Sequence, residues 1–267
     1  MKIPNKETKI FISVSRFPGN TGAIFHNTAY SINNLNNLYI PLKLKSIKNL
    51  KNILIKFKIK GCSVSMPFKK EATKILDKKN DIVKLTGNTN TIKIKNKKLY
   101  GYNTDYLGIK KIFLKYKIKK NIILIGNGSI SKTIYTYISR KKIKNIFLCA
   151  RNKKKYNNWK INKNSKIINW GMRNKLKLDW FINATSIGMS KDVNSMPINK
   201  NSLKNYKNYF DIVICEKNLL RSNCINKNIN YVSGKELSFY QAIEQFKIYC
   251  GIKLNLNKMK KRLKYNF

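Results

Sequence analysis

The sequence predicts an α/β fold, on three observations. Strand-like and helix-like segments alternate along most of the chain, the pattern of parallel sheet with crossover helices. Ile122-Ile123-Leu124-Ile125 is an unbroken apolar run of the kind buried on both faces of a sheet, and Gly126-Asn127-Gly128-Ser129 follows it directly. The 267 residues, 42% apolar and 11% aromatic, suffice for one or two cored domains and are too apolar for a disordered polycation.

Taken in order, Lys9 to Val14 alternates with period two and reads as a strand. Gly22 to Leu35 reads as a helix, and Leu38 to Leu42 as a short strand. Gly61 to Met66 is a third strand, closed by Pro67, whose fixed φ suits the start of a helix over Phe68 to Leu76. Thr91 to Tyr102 holds two apolar alternations around Asn96-Lys97-Lys98, a hairpin pattern. Thr104 or Asp105 opens a helix running to about Tyr116. After the glycine turn, Ile130 to Arg140 is helical and Ile146 to Ala150 is a strand. Further strands are expected at Asp179 to Ala184, Tyr209 to Ile214 and Ile229 to Val232. Glu236 to Tyr249 is a helix ended by Gly251. Lys153 to Lys177 is the least patterned stretch, read as a basic surface excursion, and the tail from Lys258 as a solvated helix or frayed end.

The net charge of +46 invites a nucleic-acid reading, but the basic residues run from Lys2 to Lys264 without gathering in one stripe. Only six of the 57 are Arg, the side chain that leads in specific base and phosphate recognition. Lys, Asn, Ile, Tyr and Phe share A/T-rich codons, so a drifted genome explains the charge, and no specific nucleic-acid partner is expected. The field should still attract small anions. Five scattered cysteines without a C-x-x-C pair, and a single histidine, argue against a disulfide scaffold or a zinc site, and no metal is expected. No apolar run is long enough to span a membrane, and MKIPNKETKI lacks a signal-peptide core. A reducing, cytoplasmic location is expected.

Gly126-x-Gly128-x-x-Ser131 sits after a strand and opens a helix, the context of a dinucleotide fingerprint. The first glycine permits the turn, the second lets backbone approach a pyrophosphate, and the helix N-terminus supplies N–H groups. Ser131 stands where Gly or Ala is usual and is small enough for close packing. An ordinary strand–turn–helix corner is the bland alternative. The next strand ends Leu148-Cys149-Ala150-Arg151-Asn152 with no acid to bond a ribose 2′-hydroxyl. Arg151 can instead fork onto a 2′-phosphate, which favours NADP over NAD in a Rossmann-type domain.

Lys69 follows the third strand, and Asp105 lies in Tyr102-Asn103-Thr104-Asp105-Tyr106. A ketone reduction needs a proton at the developing alkoxide, and a Lys beside an Asp can deliver it. Asn90 could add a hydroxyl-binding amide. Composition also reads Lys69 as one more solvated lysine and Asp105 as a helix cap, so spacing alone leaves the site open.

In chain order these segments resemble the shikimate dehydrogenase family. The matching stretches are Gly61 to Lys69, Asn90-Thr91, Gly101 to Asp105, Gly126-x-Gly128, Arg151, Asn183-Ala184-Thr185-Ser186-x-Gly188-Met189, and Gly234 followed by Gln241-Ala242. The finer likeness is to the shikimate-dehydrogenase-like branch, through Arg16-x-Pro18-x-Asn20-x-Gly22-x-x-x-His26-Asn27 and Gln241-Ala242-x-Glu244-Gln245-Phe246. The resemblance implies an N-terminal substrate domain (1–105 with 236–267), a Rossmann-type NADP-binding domain (106–235), and a site in the cleft between them. It implies NADPH-dependent reduction of 3-dehydroshikimate to shikimate in aromatic amino-acid biosynthesis. Lys69 matches the proton-transfer lysine and Asp105 its partner, while Asn90 and Gln241 match substrate ligands. Gly126, Asn127, Gly128, Ser129, Arg151, Thr185 and Gly234 match the cofactor side.

Two departures bear on substrate. Asn20 and Gly22 stand where the main branch has two carboxylate-binding serines, which leaves Ser13, Ser15, Ser63, Ser65 or Arg16 to do that work. Ile214 replaces a tyrosine after Phe210-Asp211-Ile212-Val213. Quinate or another polyhydroxylated cyclic acid is therefore the alternative substrate. His26 is expected to pack near the first helix, and a monomer or homodimer is expected.

Overall fold

The computed structural model describes residues 3–189, 192–215 and 217–265. The chain divides into two compact units, one comprising Met1–Leu107 with Phe239–Phe267, the other Gly108–Ser238. Among the described residues, no helix is long and apolar enough to cross a membrane.

The first unit begins β1 (Lys9–Ser15), α1 (Thr21–Ile32), β2 (Asn37–Lys43), α2 (Leu50–Lys56) and β3 (Gly61–Val64). It continues through β4 (Lys78–Lys79), α3 (Asp81–Thr86), β5 (Thr91–Lys95) and β6 (Lys98–Tyr102) to α4 (Thr104–Lys115). The mixed sheet has the order β2-β1-β3-β5-β6-β4. Period-two alternation in β1 sends Ile12 and Val14 into the core on one face, with Cys62, Val64 and Ile92. Phe11 points to the other face, packing with Tyr39, Phe25 and Phe246. The β5–β6 hairpin closes through Asn96 and Lys97 at φ 50° and 57°, the backbone of a two-residue turn whose twist matches the strands.

The second unit holds β7 (Asn121–Ile125), α5 (Ser129–Ile138), β8 (Asn145–Cys149), β9 (Ser165–Ile168) and β10 (Leu178–Asn183). Next come β11 (Tyr206–Asp211), α6 (Leu219–Asn226), β12 (Asn230–Ser233) and the first residues of α7 (Gly234–Cys250), and α8 (Leu256–Leu263) closes the chain. All pairings in this sheet are parallel, in the order β12-β11-β10-β7-β8-β9. That is the Rossmann order, and it reverses direction between β7 and β10, where α/β proteins open a crevice at the strand C-termini.

Two expectations need correction. Phe68 to Leu76 is a turn followed by a single 3₁₀ stretch, Glu71–Ile75, in which the Thr73 N–H (3.2 Å) and hydroxyl (2.7 Å) both bond the Lys70 carbonyl three residues back. The stretch 153–177 is no mere surface excursion. It contributes edge strand β9 and the buried Tyr156, whose apolar content is too sparse to show as a period. Of the two readings of the tail, the solvated helix holds: α8 is mostly exposed and is anchored at Met259, which is fully buried in the cluster with Phe239 and Phe246. The short helices α2 and α3 were not foreseen, and the third strand stops at Val64.

Candidate active site

In the first unit, three strand and helix ends converge. β3 ends at Val64, whose N–H bonds the Asn90 carbonyl (2.8 Å), and the Thr89 N–H bonds the Lys69 carbonyl (3.0 Å). Lys69 and the residues before β5 are thereby fixed side by side. Asn90 is nearly fully buried. Its Oδ1 accepts from the Thr104 N–H (2.8 Å), satisfying one of the orphan donors at the start of α4 from a distant strand. Asn103 Oδ1 accepts from the Tyr106 N–H (3.2 Å). Helix capping is therefore done by asparagines, and Asp105 is left for other work.

That work is the bond to Lys69. Lys69 Nζ donates to Asp105 Oδ2 at 2.6 Å, with side chains 15% and 10% exposed. Asn90 Nδ2 donates to the other carboxylate oxygen, Oδ1, at 2.9 Å, and to Thr104 Oγ1 at 3.0 Å. Gln241, on α7, joins the same cluster: its Oε1 accepts from Thr104 Oγ1 (3.1 Å) and Asn90 Nδ2 (3.4 Å). The structure thus brings together Lys69, Asp105, Asn90 and Gln241, four of the residues singled out from sequence. A charged amine retaining protons beyond the one it shares with a carboxylate can transfer a proton to a nearby oxygen.

The serine candidates separate. Ser63 Oγ accepts from the Tyr39 hydroxyl (2.6 Å) and lies 3.1 Å from the Tyr249 hydroxyl, so it is occupied within the protein. Ser15 is buried, and its Oγ has no hydrogen-bond partner among the described residues. Ser65 is exposed, with its N–H on the Val14 carbonyl (2.9 Å), and Arg16, also exposed, has its N–H on the carbonyl of the next residue, Met66 (3.3 Å). A Cβ at Gly22 would lie 3.3 Å from the Tyr39 hydroxyl, so a serine there would crowd that ring. His26 is fully buried in α1, stacked on Tyr39 at 4.5 Å, and its Nε2 lies 3.0 Å from Gln245 Oε1. Burial lowers its pKa to about 4 against a weaker opposing bond to Gln245, so the ring is neutral near neutrality.

In the second unit the glycine turn lies at the β7–β10 crevice. Gly126 sits at φ +104°, and a Cβ there would come within 2.6 Å of the Ala184 carbonyl oxygen, so only glycine fits. At Gly128 a Cβ would meet nothing within 4 Å, and Gly128 itself has no side chain to cap α5. Open space at a glycine that begins a helix suits an anionic group approaching the backbone. Ser131 is explained locally: its hydroxyl donates to the Gly126 carbonyl (2.5 Å), which also accepts from Tyr156 (3.0 Å), and together they pin the turn. Asn127 Nδ2 donates to the Asn152 carbonyl (2.5 Å), linking the turn to the end of β8, where Arg151 is exposed. Ser129 is the first residue of α5. Thr185 is held in a turn by Asn183 Oδ1 (2.7 Å) and accepts from the Ile187 N–H (3.2 Å). A Cβ at Gly234 would clash with the Ile212 carbonyl at 2.2 Å, so this glycine is required by packing. Asp211 accepts from Asn183, Asn218, Tyr231 and the Val213 N–H, with no cation paired to it among the described residues, and burial pushes its pKa up to about 6 despite those bonds.

Sequence reasoning missed Thr91, Thr104 and Gln245 as members of the cluster. The available signal was the four-residue spacing of Gln241 and Gln245, which places both amides on one helix face.

Residues 21–92 match the model of the shikimate dehydrogenase substrate binding domain. A shikimate dehydrogenase-like protein of Haemophilus influenzae is 31% identical over 92% of this chain and 92% of its own. The NADP(+) shikimate dehydrogenase of Methanococcus vannielii is 32% identical over 89% of both chains. A solved shikimate dehydrogenase in complex with NADP+ is 25% identical, superposes with a TM-score of 0.85, and covers 98% of this chain and 96% of its own. The chain belongs to the shikimate dehydrogenase family.

Proposed function

We propose that this protein is an NADP-dependent shikimate dehydrogenase, reversibly reducing 3-dehydroshikimate to shikimate in aromatic amino-acid biosynthesis. The observation that carries the reading is the Lys69–Asp105 pair at 2.6 Å, braced by Asn90 within reach of Gln241. When bound, the reduced nicotinamide supplies the hydride that the carbonyl carbon accepts. Lys69 gives its proton to the carbonyl oxygen as that oxygen becomes an alkoxide, and in the reverse direction takes it from the hydroxyl. Asp105 keeps the ammonium aimed and neutralises it in the pocket. Gln241, Ser65 and Ser15 supply polar groups for the hydroxyls and carboxylate of the substrate. Gly126, Asn127, Gly128 and Ser129 would hold the pyrophosphate, Arg151 the 2′-phosphate, and Thr185 and Gly234 the rest of the nucleotide. The first unit is accordingly the substrate unit and the second the NADP unit. Five unbridged cysteines suit a reducing cytoplasm.

The test is a matrix of NADP or NAD against shikimate or quinate, followed by nicotinamide absorbance. Turnover fastest with NADP and shikimate is expected. Preference for quinate would overturn the substrate assignment, and no turnover with any pair would overturn the reading.

A further inference from the structure

The Lys69–Asp105 pair stands at one end of a directed chain of hydrogen bonds. Its far end is His26, a residue the proposed reaction does not use. Gln245 Nε2 donates to Thr91 Oγ1 at 2.9 Å and to the Asn90 carbonyl at 3.2 Å. A carbonyl can only accept, so the nitrogen end of this amide faces β5 and the oxygen end faces His26. His26 Nε2 must then carry the proton it shares with Gln245 Oε1, and Nδ1 carries the lone pair. The buried ring has no other polar partner among the described residues, so Gln245 alone sets its tautomer.

The direction continues inward. Thr91 Oγ1 accepts from Gln245 and gives its own proton to Asn90 Oδ1 (2.9 Å). Asn90 Oδ1 is held at two points, by Thr91 and by the Thr104 N–H, so Nδ2 is aimed at Asp105 Oδ1 (2.9 Å). Every donor from His26 to Asp105 points the same way, and Lys69 enters from the opposite side. Asn90, Thr91 and Gln245 are each less than a tenth exposed, so a lost link strands a buried polar group rather than handing it to water.

We infer that Gln245 is a positioning residue for the Lys69–Asp105 site, acting through Thr91 and Asn90. The kinetic part of this inference rests on the dehydrogenase reading, and the structural part does not. Gln245→Met keeps length and volume while removing both donors. Its structural readout is the side-chain amide of Asn90 by NMR. Those protons should exchange about tenfold faster in the variant, since the amide keeps the Thr104 N–H but loses the brace that Gln245 gives it through Thr91. Its kinetic readout is kcat with shikimate, which should fall about 10- to 100-fold while KM for NADP is unchanged, the range seen when a supporting partner of a functional group is removed. In an Asn90→Ala background the same change should cost no more than about twofold, because its route to Asp105 is already gone.

Unchanged Asn90 exchange, or equal kinetic losses in both backgrounds, would overturn the inference and leave Gln245 as core packing. If Gln245→Met does not fold, Thr91→Val breaks the same chain at its middle and is read identically. Should the wild-type protein fail to turn over shikimate, the functional reading falls, and amide exchange still decides the positioning.

Discussion

Replacing Lys69 by Met keeps the aliphatic stem and removes the ammonium. At 2.6 Å and an effective dielectric near 20, the lost attraction to Asp105 is about 6 kcal/mol before desolvation is counted. Most of that is offset, because a neutral side chain no longer has to be desolvated, and Asp105 keeps its bond from Asn90 (2.9 Å). The net loss of folding stability is about 2–4 kcal/mol, part of it the cost of leaving a nearly buried carboxylate without its cation. The catalytic loss should be separable from this. A missing general acid costs about 10²- to 10⁴-fold, or roughly 3–5 kcal/mol at the transition state. The assay is initial rate against shikimate concentration, at a temperature where a melting curve shows the variant folded. kcat should fall by that factor while KM moves less than about threefold, since Lys69 acts on the reacting oxygen rather than on binding alone. A kcat within about tenfold of wild type, or a loss confined to KM, would refute Lys69 as the proton donor.

Other outcomes follow from the same geometry. Gly126→Ala forces a Cβ within 2.6 Å of the Ala184 carbonyl at a φ of +104°, and should cost about 2–5 kcal/mol in a denaturant melt and weaken NADP binding by calorimetry. Arg151→Ala should raise the Kd for NADP about 10- to 100-fold and leave that for NAD within about twofold, because only the former carries the 2′-phosphate. The two buried titrating groups have opposite signs. Asp211, raised from 3.8 to about 6, contributes stability that is full below pH 4 and lost as pH rises through 6. His26, lowered from 6.5 to about 4, contributes stability that is full above pH 6.5 and lost as pH falls toward 4. Hydrogen exchange between pH 4 and 7 should therefore show β10 and β11 gaining protection on acidification while α1 loses it; loss at β10 and β11 would contradict the Asp211 assignment, and gain at α1 the His26 assignment.

Much of the second unit was legible because its signals are local. An apolar run, two glycines and a following helix lie within consecutive residues, and the steric demand at Gly126 is a property of the turn itself. The hairpin turn, the long helices and the absence of an acid after β8 were legible for the same reason. β9 was not, since it contributes too few apolar residues to form a period, and for α8 the sequence left a helix and a frayed end open, which the burial of Met259 decided.

Sequence by itself determined the fold class, the family likeness and the identity of Lys69, Asp105, Asn90 and Gln241 as candidates. Only the tertiary structure decided what they do to one another. Asn90 caps a helix that starts 14 residues later, which frees Asp105 for Lys69, and Gln241 and Gln245 reach the cluster across more than 130 positions of chain. Hydrogen bonds depend on distance in space and on the direction of each donor, and a linear order of residues encodes neither until the chain is folded.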